Sequence, residues 1–151
     1  MKKRILKCYI FSILTYGCET WTVNKSNIKK ITAFEQWCNR RMLKISWTQK
    51  LSNNEVLNKC GVKSHNWFKE IIRRKMAFAG HVFRGSSGNV MLNIIEGKIN
   101  GKRSKGRPRK TWLDNITEWT AIKNYGIIKR TAENRQLWRN LTVNPLTEDG
   151  T

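Results

Sequence analysis

Large apolar side chains recur at helical spacing along most of this chain. Across residues 28–45 they fall three or four positions apart, which is the period of one helix face. A second such face covers residues 68–83 after Ser64, and shorter ones lie around Trp112 and Trp138. The patterns predict a mainly α fold.

Helix-ending residues divide these patterns. Residues 4–16 are apolar nearly all round, which predicts a buried helix that stops at Gly17. Ser52 is followed three positions later by Glu55, the spacing of a capping box, and Gly61 closes the short helix that this box opens. We therefore expect separate helices joined by short connections.

One segment cannot take part in a core. Residues 100–110 contain no apolar side chain except Pro108, and residues 90–99 before them could be extended. We expect a helical subdomain at 1–85, a linker and basic loop or small hairpin at 86–110, two C-terminal helices at 111–143 and a disordered tail at 144–151.

Charge narrows the class of partner. The 151 residues include 30 Lys and Arg against 10 Asp and Glu, a formal net charge of +20. A polyanion such as a phosphate backbone is the economical explanation, because each neutralised phosphate releases condensed counterions. We expect no membrane partner, since no apolar run approaches the roughly 20 residues that span a bilayer. The expected location is intracellular and nuclear.

The densest basic run covers residues 102–110, with six cations in nine residues around a Gly-Arg-Pro centre. It resembles an AT-hook core, with Lys105 where that motif usually has Arg. The alternative interpretation is a solvated basic loop or a nuclear import signal. With a second cluster beside Trp67, the candidate phosphate contacts are Arg73, Arg74, Lys75, Lys102, Arg103, Lys105, Arg107, Arg109 and Lys110.

Three tryptophans are interleaved with cations a few residues away in the sequence: Trp37, Trp67 and Trp138. Such aromatic rings can stack on unpaired bases while the cations hold the backbone. Tryptophans at helical spacing are more often core residues, however, so we expect all three to be buried.

The sequence predicts neither a catalytic site nor a metal or other cofactor in this chain. The only aspartates are Asp114 and Asp149, too few for two-metal chemistry, and we interpret Asp114 and Glu118 as helix-stabilising charges. The four cysteines contain no Cys-x-x-Cys pair, and Cys60 with His65 matches no zinc pattern. Buried, reduced cysteines are the expectation.

Several strings together resemble the endonuclease and reverse transcriptase proteins of non-LTR (LINE-type) retrotransposons. They are LTYGCETW at residues 14–21, FEQWCNRRML at 34–43, ISWT at 45–48, RRK at 73–75, GHVFR at 80–84, GKI at 97–99 and GRPRKTWLD at 106–114. In order and spacing they look like the region downstream of the family's polymerase palm.

The resemblance implies a helical thumb-like bundle and a basic C-terminal segment that grip template RNA and primed DNA in target-primed reverse transcription. The family's catalytic carboxylates lie upstream of this region, so no catalytic residue is carried over. The chain would then act with an upstream polymerase domain on RNA, RNA–DNA hybrid or DNA. The open alternatives are a domesticated chromatin or DNA-binding protein with an AT-hook-like segment, and a non-functional relic.

Overall fold

The computed structural model describes residues 2–61, 67–85, 88–97, 105–106 and 108–143. All the regular structure in these residues is helical, which confirms the mainly α prediction. No helix among them is both long enough and apolar enough to cross a membrane.

The elements follow one another as α1 (Lys2–Ile5), a π-helical segment (Leu6–Phe11), α2 (Ser12–Leu14), a 3-10 turn (Cys18–Thr20), α3 (Lys25–Leu43), a 3-10 turn (Trp47–Gln49), α4 (Asn53–Lys59), α5 (Trp67–Phe83), α6 (Asn89–Ile95), α7 (Trp112–Thr120), α8 (Tyr125–Glu133) and α9 (Arg135–Val143).

These elements form two compact units. The first unit holds the residues up to Cys18 together with Val23–Ile71, and the second holds Glu19–Thr22 and the chain from Ile72 onward. The division therefore falls inside α5, whereas the expected subdomain boundary lay at residue 85.

In the first unit, capping residues set the helix ends. The Asn24 side chain accepts a hydrogen bond from the Asn27 backbone and starts α3. Ser52 and Glu55 form the predicted capping box of α4, which is confirmed. Arg40 donates to the Leu51 carbonyl (2.8 Å) and to Asn53 Oδ1 (3.0 Å), so α3 is tied to the start of α4.

The predicted burial of the first helix is wrong. Residues 2–14 are helical and Gly17 ends this stretch with a positive φ of 64°, as expected, but Ile13 is 76% exposed and Tyr16 87% exposed. Only part of its surface is covered, for example where Phe11 lies 5.4 Å from the Trp67 ring. An all-round apolar sequence therefore leaves an uncovered apolar face here.

The core of the second unit is built on the predicted apolar face of α5. Ile72, Met76, Ala79 and Val82 are fully buried. The Phe83 ring packs edge-on against three other aromatic rings, with centroids 5.8–6.3 Å away: Trp112, Tyr125 and Trp138.

Two local predictions are wrong in this unit. The segment expected to be extended after residue 90 is helical in α6, where tertiary contacts outweigh β propensity: Glu96 at its end accepts from Tyr125 (2.9 Å) and pairs with Lys129 (2.8 Å). The last predicted helix is two helices, α8 and α9. Asn134 interrupts it because its side-chain oxygen accepts from the backbone amides of Gln136 and Leu137 in the first turn of α9.

Candidate nucleic-acid interface

We call the run at residues 102–110 the basic segment; its last residues, 108–110, lie just before Thr111 and α7. Thr111 caps this helix through a capping box with Asp114: the Thr111 amide donates to Asp114 Oδ2 at 2.6 Å, and the Asp114 amide donates back to Thr111 Oγ1. Lys110 pairs with Glu118 at 2.6 Å. Asp114 and Glu118 thus stabilise the start of α7, as we interpreted them from the sequence. Through these contacts they hold Lys110 and Thr111 against the helix.

Before that junction the described cations point into solvent. Lys105 and Arg109 are exposed, and Gly106 between them has a positive φ of 105°. Few side chains tolerate that conformation, so glycine is required at this position. Lys102, Arg103 and Arg107 lie outside the described residues, so their predicted phosphate contacts stay predictions.

The second predicted cluster, Arg73 to Lys75, lies on α5, where its members differ in exposure. Arg73 is exposed and Arg74 half-buried, and both take part in interactions within the protein. Lys75, next to them, has no exposed surface. A side chain without exposed surface cannot reach a phosphate, so Lys75 is no longer a candidate contact in this structure.

Lys75 instead occupies a cage of acceptors and aromatic rings. Its Nζ donates to the Trp21 carbonyl (2.6 Å) and to Asn115 Oδ1 (2.7 Å). The same nitrogen lies 5.1 Å from the Trp112 ring centroid and 5.3 Å from that of Trp119, within cation–π range. Three of these four partners belong to α7, so the Lys75 ammonium holds α7 against α5.

Burial dominates the acidity of this ammonium. Loss of solvent, assisted by the nearby charge of Lys110 and opposed by Glu118, lowers the pKa of Lys75 to about 7. The cage therefore contains a group that changes charge near neutral pH. Lys75 and Lys110 were both predicted to contact phosphate. In the structure their charges interact, but Lys75 is buried in the core whereas Lys110 lies in the basic segment.

A signal for this role was present in the sequence. Lys75 lies four residues after Ile71 and four before Ala79, which places it on the apolar stripe of the helix. Its basic neighbours Arg73 and Arg74 suggested that Lys75 also lies at the surface. The helical period of the apolar residues predicted its burial better than the local charge did.

Of the three tryptophans that we expected to be buried, two are buried and one is exposed. Trp67 and Trp138 are buried, as expected, and the Trp138 indole donates to the Met76 carbonyl at 2.8 Å. Trp37 is 54% exposed, so its predicted burial is wrong. The inward face of α3 is formed instead by residues that include Ile31, Glu35 and Cys38.

The described residues contain no group of three or more His, Cys, Asp or Glu side chains that could hold a metal ion. Burial raises the pKa of both the Cys38 and the Cys60 thiols, and Glu35 raises it further, although Lys3 partly offsets this at Cys60. Thiols with raised pKa values favour the neutral form, which is a poor metal ligand. His65 lies outside the described residues.

The chain is similar to a transposon-derived protein of Caenorhabditis elegans that is itself uncharacterised. The two are 30% identical over 113 residues, which cover 71% of this chain and 39% of the relative. No family model matches the chain, and no solved structure matches it. The chain thus resembles a transposon-derived protein along most of its own length and spans about two fifths of that relative.

Proposed function

We propose that this chain is a nucleic-acid-binding part of a non-LTR retrotransposon RNA-directed DNA polymerase, where it grips template RNA and primed DNA. The observation that carries the proposal is the pair of exposed cations Lys105 and Arg109 just before α7, in a chain of formal net charge +20. The similarity to a transposon-derived protein supports the transposon origin.

Phosphate binding would begin with the exposed cations Lys105 and Arg109. Lys105 and Arg109 are exposed on either side of Gly106 and Pro108, and they precede the capped start of α7. Arg73 and Arg74, together with Lys102, Arg103 and Arg107, complete the proposed set. Lys110 would share its charge between Glu118 and a phosphate.

In this proposal the chemistry of polymerisation belongs to a polymerase domain of the intact protein. The two carboxylates closest to the basic segment have structural partners: Asp114 belongs to the capping box of α7, and Glu118 pairs with Lys110. The partners would be RNA, RNA–DNA hybrid or DNA in the nucleus, and this chain alone would bind without catalysing. It would need no cofactor of its own.

Neutralising two exposed cations of the segment tests the proposal. In Lys105→Gln/Arg109→Gln, the slope of log affinity against log salt on duplex should fall by about 2, because each lost phosphate contact removes roughly 0.9 from it. The matched control is Lys123→Gln/Arg130→Gln, which removes the same charge from exposed positions of the same unit.

Fluorescence anisotropy across a salt series measures both variants. The control should bind nearly as the unaltered chain does. Equal losses in the two variants would show that only overall charge matters. Unchanged binding in Lys105→Gln/Arg109→Gln would remove the basic segment from the proposed interface.

A further inference from the structure

The exposed side of α3 carries a stripe of cations and aromatic rings. Four of its five members follow at intervals of four, three and four residues within α3 and so share one helix face, and the fifth is the left-handed residue that ends the helix. All five are exposed: Lys30, Phe34, Trp37, Arg41 and, at the helix end, Lys44. We call this set the α3 stripe. At 1.5 Å per residue it extends about 20 Å, with cations at both ends and the rings near its middle.

The rings of the α3 stripe contact one another and a cation of the same helix. Phe34 and Trp37 are nearly parallel, with centroids 6.0 Å apart and planes 12° apart. The Arg41 guanidinium lies 5.4 Å from the centroid of the Trp37 ring. Trp37 is therefore oriented by its own helix while more than half of it stays exposed, which is unusual for the largest apolar side chain.

An apolar groove adjoins these rings. It has a volume of about 360 Å³, and Ile5, Ile10, Phe34, Trp37 and Met42 form much of its wall. Lys2 and Arg41 also line it and place positive charge at an otherwise apolar surface. That volume is at the low end for small-molecule pockets, so it suits a flat group the size of a nucleoside better than a protein helix.

Charge and shape together select the occupant. A second copy of this chain would bring another +20 charge against the same cations, which opposes self-association. An unpaired nucleobase offers a flat apolar face for the rings and groove, and its phosphates offer anions for Lys30, Arg41 and Lys44. Aromatic stacking between flanking cations is the general means of binding single strands without sequence preference.

We propose that the α3 stripe and its groove form a stacking site for unpaired bases of single-stranded RNA or DNA, separate from the basic segment of the other unit. The proposal shares with the proposed function only the premise that the partner is a nucleic acid. It adds a distinction between single and double strands that the basic segment does not provide.

Trp37→Ala tests it, with Tyr16→Ala as the matched control. Tyr16 is an aromatic residue of the same unit that is 87% exposed and lies outside the stripe. On labelled oligo(U) and oligo(dT), Trp37→Ala should lose about tenfold in affinity with an unchanged salt slope, because stacking rather than charge is removed. Tyr16→Ala should keep its affinity, and Trp37→Phe should recover most of it.

The same variants are measured on a fully paired duplex of equal length, where Trp37→Ala should bind as the unaltered chain does. Thermal unfolding of each variant confirms that it folds. Equal single-strand affinity in Trp37→Ala and Tyr16→Ala, with duplex binding intact, would overturn the stacking site and leave the proposed function standing. Absence of binding to any nucleic acid by the unaltered chain would overturn both.

A third possible result would show that the α3 stripe and its groove bind a second copy of this chain. If sedimentation shows that the unaltered chain is a dimer and Trp37→Ala is a monomer, the groove binds a second copy and the stacking site is wrong. A monomer in both cases agrees with the proposal.

Discussion

Lys75→Ala is expected to lower the free energy of unfolding by roughly 2–4 kcal/mol at pH 7. The substitution leaves a cavity in the core, which costs about 2–5 kcal/mol for a large side chain, and removes the hydrogen bonds that Lys75 donates to the Trp21 carbonyl and Asn115 Oδ1. Relief from burying a charge offsets part of this loss. Urea unfolding measures the difference.

The control for this prediction is Lys123→Ala, which removes an exposed lysine of the same unit. Surface substitutions of this kind change stability by about 0.5 kcal/mol or less. If Lys75→Ala unfolds at the same urea concentration as Lys123→Ala, the cage around Lys75 does not hold α7.

The pH dependence of stability follows from the same residue. The folded-state pKa of Lys75 is lowered to about 7 from the ordinary 10.5, so between these values the unfolded chain binds more protons than the folded one. The stability of the protein should therefore rise with pH across this window, by up to about 1.4 kcal/mol per pH unit, as the buried ammonium becomes neutral. Below pH 7 the full cost of burying the charge is present.

Lys75→Met provides the control for pH, because methionine keeps most of the volume and cannot titrate. Urea unfolding at pH 7, 8 and 9 should show the rise in the unaltered chain and a flatter profile in this variant. Parallel profiles would mean that the cation–π contacts with Trp112 and Trp119 and the two acceptors keep Lys75 charged, as in water.

Gly80→Ala is expected to destabilise the chain by roughly 2–4 kcal/mol, although alanine favours a helix over glycine by about 1 kcal/mol. A Cβ at Gly80 would lie 2.5 Å from Trp138 Nε1 and 2.6 Å from its Cδ1. The buried indole cannot move aside without losing its hydrogen bond to the Met76 carbonyl, which adds to the cost of overpacking.

A double-mutant cycle separates this clash from other effects of the substitution. In a Trp138→Leu background, Gly80→Ala should become neutral or slightly stabilising, since the indole is gone and the helix preference remains. Chemical unfolding of the four proteins gives the coupling. A stabilising Gly80→Ala in the unaltered chain would contradict the close packing of α5 and α9.

Local chemistry made several helix ends predictable. Ser52 and Glu55 specify the start of α4 by their spacing alone, and the apolar period of α5 predicts its buried face. The sequence did not predict the break at Asn134, because a single polar residue within a helical apolar pattern is also compatible with one continuous helix. Its side chain instead competes for the backbone amides that a continuous helix would use.

Orientation was harder to predict than the helices themselves. The period of α3 fits more than one face, and the structure buries Glu35 and Asn39 while exposing Trp37, which hydropathy alone does not favour. Likewise, the basic run at 102–110 is evident from composition, but the removal of Lys75 from the cationic set depends on tertiary burial. Which cations remain at the surface therefore follows from packing.

The most direct test of nucleic-acid binding is the affinity of the purified chain for four ligands across a salt series: an RNA hairpin, an RNA–DNA hybrid, an A·T duplex and a G·C duplex. The proposed function predicts a steep salt slope with the RNA or the hybrid bound most tightly. A preference for the A·T duplex would favour a minor-groove hook in a chromatin-binding protein. No binding at physiological salt would contradict the account.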